Sequence, residues 1–340
     1  MKLLKYIFFS SIDILLVIFG LIVYKIYKYN PYFSYKSMLR LFYIYGNSVT
    51  EIINKLTAEN SKPNYLLISN NKNENNKKIS NLISEKGYYF FNQFLKNEQL
   101  NAIVEITKKY KFKLRPTDQL IKNSNYTIKE TFFDPQKPEA VLYEFDTNDL
   151  IKHKVIQDII LDTRIYDISK KYFKSEPFFD HVGLSITSDY NKYSNPDSKA
   201  AQLYHFDLDR PKWLKFLIYI NDVDDSNGPH AFIEGTHKSN QIPFSLRSRG
   251  YVRIDDEEIK KINMTKNEKI FYGKAGSAII EDTIGFHKGN IVKKGYRILL
   301  SIQVNSSMFG IKNTKYNMNE LDKNFINKSK SFGDFFKYKF

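Results

Sequence analysis

The pattern of apolar and polar residues divides the chain into a helical first half and a strand-rich second half. Residues 6–24, YIFFSSIDILLVIFGLIVY, form an apolar run long enough for one helix to cross the hydrocarbon core of a bilayer. A short strand is predicted at 88–91. It precedes a helix whose apolar residues recur at helical spacing after Asn97, a suitable N-cap. Residues 150–173 have a further helical pattern.

From residue 178 onward, short apolar or aromatic runs alternate with turn residues. Eight such runs are FFDHVGLSIT, AAQLYHFDL, WLKFLIYIND, SNGPHAFIE, GYVRID, GSAIIEDT, GFHKGN and YRILLSIQV. This spacing is typical of a β-sandwich or barrel, and the jelly roll is the commonest arrangement of eight strands. We therefore predict a mainly β fold with flanking helices around a jelly-roll core.

The first apolar run is interpreted as an uncleaved membrane anchor. Its one charge, Asp13, is costly in a membrane, but long apolar flanks can offset that cost. No small-x-small cleavage site follows the run, which argues against a signal peptide. Lys25, Lys28, Lys36 and Arg40 follow it, and only two lysines precede it. We therefore expect a single-pass transmembrane helix, with the remaining chain on the cytoplasmic side.

Composition limits the kinds of site that the chain can form. There is no cysteine, so any metal ligands must be histidine, aspartate or glutamate side chains. The net charge of +15 comes mostly from lysines spread along the whole chain. Nucleic-acid binders usually cluster basic residues on one element, so no dedicated nucleic-acid surface is expected. Residues 69–78, SNNKNENNKK, are polar throughout and predict a linker or exposed loop.

One stretch of the β-rich half, LYHFDLDRPKW, carries candidate metal chemistry. His205 and Asp207 are two residues apart, so on a strand both side chains face one side while Tyr204 and Phe206 face the other. His287 supplies a second imidazole downstream. Two histidines and one carboxylate form the facial triad of non-heme Fe(II) oxygenases, which leaves positions open for a cosubstrate and O2.

Two further residues are candidates for cosubstrate binding. Oxygenases with such a triad often use 2-oxoglutarate, whose far carboxylate needs a rigid bidentate donor, the particular strength of arginine. Arg297 suits this role, because it lies ten residues after His287, beyond a predicted hairpin turn. Gln202, three residues before His205, is a second candidate contact.

The segments QLYHFD, NGPHAFIEGTHK, GFHKGN and YRILLSIQ, in this order, resemble the phytanoyl-CoA dioxygenase family of Fe(II)/2-oxoglutarate-dependent oxygenases. GYYFFNQFLKNEQLNAIVEI also resembles the usual N-terminal opening of that family, so that the resemblance covers residues 80–305. It implies a double-stranded β-helix core of the jelly-roll or cupin-like kind. It further implies iron on His205, Asp207 and His287, and 2-oxoglutarate on Arg297.

Three positions depart from the pattern of that family. The family often has glutamine, proline and serine or threonine where this chain has Phe206, Glu234 and Gly289. These departures leave the triad intact and bear on the substrate class and on contacts around the metal. Of the other histidines, His237 is interpreted as a turn residue and His230 as a residue of the pocket mouth.

The features together predict an Fe(II)- and 2-oxoglutarate-dependent dioxygenase that uses O2 to hydroxylate a small-molecule or lipid-like substrate. The expected regions are a membrane anchor helix (1–29), a helical segment and polar linker (30–78), an oxygenase domain (79–310) and a basic C-terminal tail (311–340). Two alternatives stay open: a non-catalytic jelly-roll binding or scaffold protein, and a metal-dependent cupin-type enzyme that does not use 2-oxoglutarate. Arg297 separates them, because only the 2-oxoglutarate enzyme requires it.

Overall fold

Two antiparallel β-sheets lie at the centre of the fold in the computed structural model. The structure describes residues 2–60, 74–115, 129–191, 196–197, 200–238, 241–251 and 253–339. Within these residues the strands are β1 (Tyr88–Phe91), β2 (Phe112–Arg115), β3 (Glu130–Thr131), β4 (Leu142–Glu144), β5 (Phe178–Ser188), β6 (Trp213–Tyr219), β7 (His230–Ile233), β8 (Glu268–Phe271), β9 (Ala278–Glu281), β10 (His287–Gly289) and β11 (Tyr296–Asn305). The larger sheet has the order β1-β9-β6-β11-β5-β4-β2-β3, and the smaller has the order β10-β7-β8.

Helices precede the first strand, lie between later strands and follow the last one. In the described residues they are α1 (Lys2–Tyr27), α2 (Tyr32–Tyr45), α3 (Asn47–Thr57), α4 (Glu74–Lys86), α5 (Asn97–Lys109), α6 (Thr147–Leu150), α7 (Lys154–Ile160), α8 (Thr163–Phe173), α9 (Phe244–Arg247), α10 (Asp256–Lys261) and α11 (Lys323–Ser329). Short 3-10 turns follow α11 and occupy part of the loops. The predicted helices near 97 and 150–173 are thus present, and the second is divided into α7 and α8 because Asp162 caps a new helix.

The larger sheet separates a hydrophobic core from a cavity, because its side chains alternate between two faces. On β6, Leu214, Phe216 and Ile218 belong to the main core under the helices. Lys215 and Leu217 point to the opposite face and line the cavity. The period-two pattern therefore decides which residues of each strand can reach a ligand.

The antiparallel two-sheet core agrees with the predicted β core with flanking helices, although helices hold more of the described residues than strands, and most predicted strands are present. AAQLYHFDL and GYVRID form only isolated bridges, at Tyr204 with Ile254 and at His205 with His287. Four short strands were not predicted: β2, β3, β4 and β8. Sequences such as FKLR and EKIF combine charged residues with few apolar ones, so they show no clear strand pattern. The predicted hairpin before Arg297 is wrong, since β10 and β11 lie in different sheets.

The N-terminal helices differ from the predicted anchor and linker, because α1 to α3 share a hydrophobic core with the β domain. Met38 and Phe42 of α2 and Ile53 of α3 are buried in one cluster with Phe178 and Phe206. Residues 30–60 are therefore part of the domain rather than a spacer. Of the predicted polar linker, 69–73 lie outside the described residues, and from Glu74 the chain is helical as α4.

The C-terminal segment, predicted as a basic tail, also packs on the domain. Phe325, Phe332, Phe335 and Phe336 belong to the main core. The lysine next to the C-terminal residue, Lys339, is buried and lies 2.9 Å from a carboxylate oxygen of Asp180 on β5. Burial alone would raise the pKa of Asp180, but Arg210 and Lys339 outweigh it and hold that pKa far below its usual range.

We expect Lys339→Met to lower the free energy of unfolding by about 1.5–3 kcal/mol, because it removes a charged hydrogen bond from a buried carboxylate. The matched control is Lys337→Met. Lys337 pairs with Glu59 but is more than a third exposed, so its loss should cost below about 1 kcal/mol. Urea unfolding followed by circular dichroism measures both, and equal effects would contradict an anchored C-terminus.

Candidate metal centre

The structure brings His205, Asp207 and His287 together in one buried cluster. Their potential ligand atoms all lie within 4.8 Å of one another. Nε2 of His205 is 3.9 Å from Oδ1 of Asp207, and Nε2 of His287 is 3.4 Å from Oδ2. The two imidazole rings are 4.2 Å apart between centroids. Two nitrogens and one carboxylate thus converge on a volume that one metal ion can fill.

Backbone pairing fixes the positions of the three ligands. The amides of His205 and His287 donate to each other's carbonyl oxygens, at 3.1 and 3.0 Å. The amide of Asp207 donates to the carbonyl of Thr283 at 2.7 Å. The segment that carries His205 and Asp207 therefore lies directly beside the start of β10, although the two histidines are 82 positions apart in sequence.

Both histidines have the tautomer that a metal ion requires. Nδ1 of His205 lies 2.9 Å from the carbonyl of Leu203, and Nδ1 of His287 lies 2.9 Å from that of Gly285. A carbonyl oxygen only accepts, so each Nδ1 must carry the hydrogen and donate it. In the neutral rings, Nε2 then has a free lone pair that faces the cluster.

The carboxylate of Asp207 is held by a separate donor at each oxygen. Lys215 of β6 donates to Oδ2 at 2.6 Å, and the Tyr251 hydroxyl donates to Oδ1 at 2.8 Å. Burial would raise the pKa of Asp207, but Lys215 and the histidines outweigh it and hold the pKa well below its usual range. Burial lowers the pKa of His205 well below its usual range. The group therefore contains an ionised carboxylate and a neutral imidazole at neutral pH.

Burial is also the largest single influence on His287, but the nearby carboxylates together exceed it. Burial alone would lower the pKa of His287, and the charge of Asp207, its hydrogen bond and the charge of Glu281 together raise it. The position beside Oδ2 thus favours a positive charge. A proton and a metal ion would compete for it.

A cavity of about 240 Å³ adjoins the cluster and reaches Arg297 on β11. Arg297 is buried and donates through Nη1 to the carbonyl of Gly228 and through Nη2 to Oγ1 of Thr187 at 3.5 Å. Its Nε has no hydrogen-bond partner among the residues that the structure describes. Burial lowers the pKa of this guanidinium, which is the direction expected for a cation that lacks a paired anion.

Gly289, a departure from the family pattern, has a structural reason. A Cβ at this position would lie 2.6 Å from Nη2 of Arg297 and 3.2 Å from Nη1. Any larger side chain would push against the guanidinium. The glycine therefore leaves room for Arg297 at the end of the cavity.

The pair of His230 and Glu281 in the same cavity was not predicted from the sequence. His230 begins β7, and its Nε2 lies 2.9 Å from a carboxylate oxygen of the fully buried Glu281 on β9. Its ring is 5.8 Å from that of His287, so it lies deeper than a pocket mouth. The sequence contained one sign of this pair. Glu281 is a carboxylate at the end of the apolar strand AIIE, and it faces the cavity side of the sheet.

The structure places Gln202 apart from this cavity. Its side-chain oxygen accepts from the amide of Asp197 at 2.8 Å, and it lines a different cavity with Lys288 and Asn290. The predicted cosubstrate contact through Gln202 is therefore not supported by its position. His237 lies near Ser84, whose carbonyl is 3.1 Å from its Nε2, and is absent from the lining of the metal-site cavity in the described residues.

Comparisons with known proteins identify similar folds. No family model and no curated protein matches the sequence. Among solved structures, the non-heme alpha ketoglutarate dependent epimerase SnoN from nogalamycin biosynthesis matches 68% of this chain and 83% of its own, at 12% identity and a TM-score of 0.50. HygX from Streptomyces hygroscopicus, with nickel and 2-oxoglutarate bound, matches 70% and 89% at 12% identity and a TM-score of 0.48.

EctD from S. alaskensis with bound Fe matches 73% of this chain and 80% of its own, at 14% identity and a TM-score of 0.44. At such low identity, the likeness to SnoN shows the fold alone. The predicted jelly-roll core is thus supported at the level of fold. Membership of the phytanoyl-CoA dioxygenase family stays a prediction.

Proposed function

We propose that the chain is an Fe(II)- and 2-oxoglutarate-dependent oxygenase. The observation that carries the proposal is the buried cluster of His205, Asp207 and His287 beside a cavity that is lined by both histidines and by Arg297. The proteins with similar folds include an alpha ketoglutarate dependent epimerase, a protein with bound nickel and 2-oxoglutarate, and a protein with bound Fe. A metal and 2-oxoglutarate site in this chain agrees with them. We further propose the narrower phytanoyl-CoA dioxygenase likeness, which rests on the ordered segments around these four residues.

The donor set fits a divalent iron ion. Two imidazole Nε2 atoms and one ionised carboxylate face one another in the cluster, and they form the ligand set of the facial triad once a metal ion replaces the proton that Asp207 favours on His287. Backbone carbonyls fix both rings, and Lys215 and Tyr251 fix the carboxylate. The absence of cysteine from the chain agrees with iron rather than a thiolate zinc site.

The other end of the cavity fits a dicarboxylate. Arg297 offers a planar fork of donors with an unpartnered Nε, as far as the described residues show, and Thr187 adds a hydroxyl beside Nη2. Gly289 provides the space next to that fork. A cosubstrate with one end near the triad and its far carboxylate at Arg297 would pair a buried cation that otherwise lacks an anion.

Within this proposal each residue has a defined task. His205, Asp207 and His287 hold the metal ion, and Arg297 orients the cosubstrate. Bound Fe(II) with 2-oxoglutarate and O2 supplies the oxidising power, and hydroxylation of a C–H bond is the usual outcome. Lys215 and Tyr251 keep Asp207 ionised and in place. Leu217 and Leu299 exclude water from part of the cavity wall.

The substrate is proposed to be a small molecule whose reacting part is polar. Lys215, Glu281, Ser185 and Ser301 all line the cavity near the triad. Such a lining favours hydrogen-bonding groups over a hydrocarbon chain. A lipid-like substrate would therefore have to present its polar portion to the site.

Membrane attachment is proposed through α1. Ser10–Tyr27 is the one helix in the described part of the chain that is long and apolar enough to cross a membrane, although a core helix or a signal sequence has the same length and composition. We propose that the domain lies on the cytoplasmic side, where 2-oxoglutarate and reduced iron are supplied.

Anaerobic binding to the full-length chain tests the oxygenase proposal. With Fe(II) and 2-oxoglutarate we expect the visible absorption band of the chelated cosubstrate, and with either one alone no band. A folded protein that binds metal but not 2-oxoglutarate would favour the cupin-type alternative. A folded protein that binds neither would favour the scaffold alternative.

Gly289→Ala provides a sharper test of the Arg297 end. The added methyl displaces the guanidinium, so we expect the Kd for 2-oxoglutarate to rise about tenfold or more, since misplacement by about 1 Å is costly. The Kd for Ni(II), bound by the triad alone, should stay within about twofold. Isothermal titration calorimetry measures both constants.

The matched control is Gly183→Ala on β5, where an added methyl also makes tight contacts, at 3.1 Å to the side-chain oxygen of Ser301 and 3.3 Å to a ring nitrogen of His181, but where Arg297 is not among the nearest groups. Its affinity for 2-oxoglutarate should equal that of the unmodified protein. If Gly289→Ala binds 2-oxoglutarate as tightly as this control, Arg297 does not hold the cosubstrate.

A further inference from the structure

One face of α1 is covered by the folded domain. Ser10, Asp13, Val17, Gly20 and Tyr24 follow one another at spacings of three and four residues, which places them on one side of the helix. Ser10, Asp13, Val17 and Tyr24 are all buried, and Gly20 packs against Ser34 of α2. The covered face extends over four helical turns.

Specific polar contacts fix this face at both ends. The guanidinium Nε of Arg40 on α2 donates to both carboxylate oxygens of Asp13, each at 3.0 Å. The Tyr24 hydroxyl accepts from the amide of Met308 at 2.9 Å. Just after α1, the side chain of Asn30 exchanges hydrogen bonds with the backbone of Gly310. The charge inside the apolar run therefore has its partner in the protein rather than in another membrane helix.

The helix under α1 is itself part of the domain. Phe42 of α2 is fully buried, and its ring lies 5.4 Å from that of Phe206. In the sequence, Phe206 stands between the two proposed metal ligands His205 and Asp207. Arg247 donates to the carbonyls of Tyr43 and Ile44 at the end of α2. The long axis of α1 therefore runs along the domain instead of leading away from it.

The opposite face of α1 is apolar and uncovered in the structure. Leu15 is 67% exposed and Ile26 is 65% exposed. The exposed apolar residues of α1 are Ile12, Ile14, Leu15, Ile18, Phe19, Ile22 and Ile26. Phe19 stacks on the exposed Phe33 of α2 at 6.0 Å, so the apolar surface continues onto the second helix.

Charge and aromatic residues at the border of this surface fit an anionic bilayer. Tyr27, Tyr29 and Tyr32 are exposed at the turn between α1 and α2, where amphipathic rings favour the membrane–water interface. Lys25 is exposed beside them, Lys28 is exposed although it pairs with Glu59 at 3.2 Å, and the net charge of the chain is +15. Basic residues around an apolar helical face are the pattern of helices that lie on anionic membranes.

A membrane crossing conflicts with these contacts. If α1 spanned the bilayer with its covered face intact, α2 would enter the hydrocarbon with it. The exposed Lys36 and the half-exposed Arg40 of α2 would then lose water, at a high cost in free energy. A crossing without α2 would break the pair of Asp13 with Arg40 and strip the covered face of its partners.

We infer that α1 lies in the plane of an anionic bilayer surface, with its face from Ile12 to Ile26 and Phe33 in the lipid, and that the chain does not cross the membrane. This replaces the predicted single pass by an attachment to one leaflet. The domain, including the segment that holds Phe206, then rests against the membrane through α2. The inference does not depend on the oxygenase activity.

Cysteine labelling in vesicles tests the topology directly, because the natural chain has no cysteine that could react. Lys2→Cys and Lys330→Cys each introduce one thiol, at the start of α1 and at an exposed C-terminal position. With the full-length protein added to sealed vesicles of phosphatidylcholine and phosphatidylglycerol in equal amounts, an impermeant maleimide should label both. Protection of Lys2→Cys alone, relieved by detergent, would overturn the inference.

A flotation assay with the same vesicles tests the surface itself. The double variant Leu15→Glu, Ile22→Glu should bind the vesicles at least about tenfold more weakly, and its circular dichroism spectrum should stay that of the natural protein as evidence of folding. Met318→Glu changes an exposed apolar residue elsewhere and should bind as the natural protein does. Unchanged flotation of the double variant would overturn the inference. It would also be overturned if the natural protein did not bind vesicles and instead formed a dimer that the double substitution disrupts.

Discussion

His287→Ala should lower the affinity for Fe(II) and Ni(II) at least about 1,000-fold, because contacts outside the ligand shell alone are worth about 10- to 100-fold. The imidazole supplies one of three ligands, and its Nε2 lies 3.4 Å from the carboxylate of Asp207. Without it, His205 and Asp207 form an incomplete site beside Lys215. Binding of 2-oxoglutarate that depends on metal should disappear as well, and with it any turnover.

Calorimetric titration with Ni(II) and the anaerobic visible band with Fe(II) and 2-oxoglutarate measure this effect. The matched control is His153→Gln. His153 packs its ring against Tyr110 at 4.9 Å and takes no part in the cavity lining among the described residues. Metal binding by His287→Ala at the level of that control would remove the basis of the proposed function.

The ligand set was accessible from the sequence because it depends on local geometry and on the chemistry of residue types. Residues i and i+2 face one side of an extended segment, so His205 and Asp207 could be paired without a structure. His287 followed from the need for a second imidazole. The resemblance to the oxygenase family then supplied the spacing to Arg297.

The donors around Asp207 were not accessible in this way. Lys215 lies within the apolar strand WLKFLIY, and the alternation shows only that it shares a face with Leu217. That Asp207 lies opposite this face of β6 depends on how two segments distant in sequence pack together. Tyr251 is 44 residues from Asp207 in sequence, and no local pattern marks it as a partner. Gly289 appeared as a departure from a family pattern, whereas its role follows from the distance to Arg297.

The predicted division into an anchor, a linker and an oxygenase domain did not include the packing of the N-terminal helices on the sheets, for a related reason. Composition marks residues 6–24 as apolar, but it does not show that one face of the helix packs on protein. A protein that begins at residue 79 would leave the cluster around Phe178, Tyr204 and Phe206 without α1 to α3. The segment of the metal ligands would then lose the packing on the side opposite the metal.

That segment lies between two environments, because its side chains alternate. His205 and Asp207 face the metal site, and Phe206 faces α2 and packs on Phe42. The ring of Phe206 also lies 5.7 Å from Tyr251, the residue that holds Asp207. Packing on α2 thus acts on the metal centre both through the backbone of the segment and through the donor to its carboxylate.

Phe42→Ala should therefore affect stability and metal binding together. Loss of a fully buried phenylalanine costs about 3–5 kcal/mol of unfolding free energy, and the freed Phe206 should weaken Ni(II) binding about tenfold, because ligands must be held to about 0.5 Å. The control is Phe33→Ala on the same helix, because the Phe33 side chain is 46% exposed. In detergent-free buffer its loss should change the free energy of unfolding by only about 0.5 kcal/mol, and it should leave the Kd for Ni(II) unchanged. Urea unfolding and calorimetry measure the two effects. A Phe42→Ala protein that loses stability but binds Ni(II) as tightly as Phe33→Ala would show that α2 supports the fold without positioning the metal ligands.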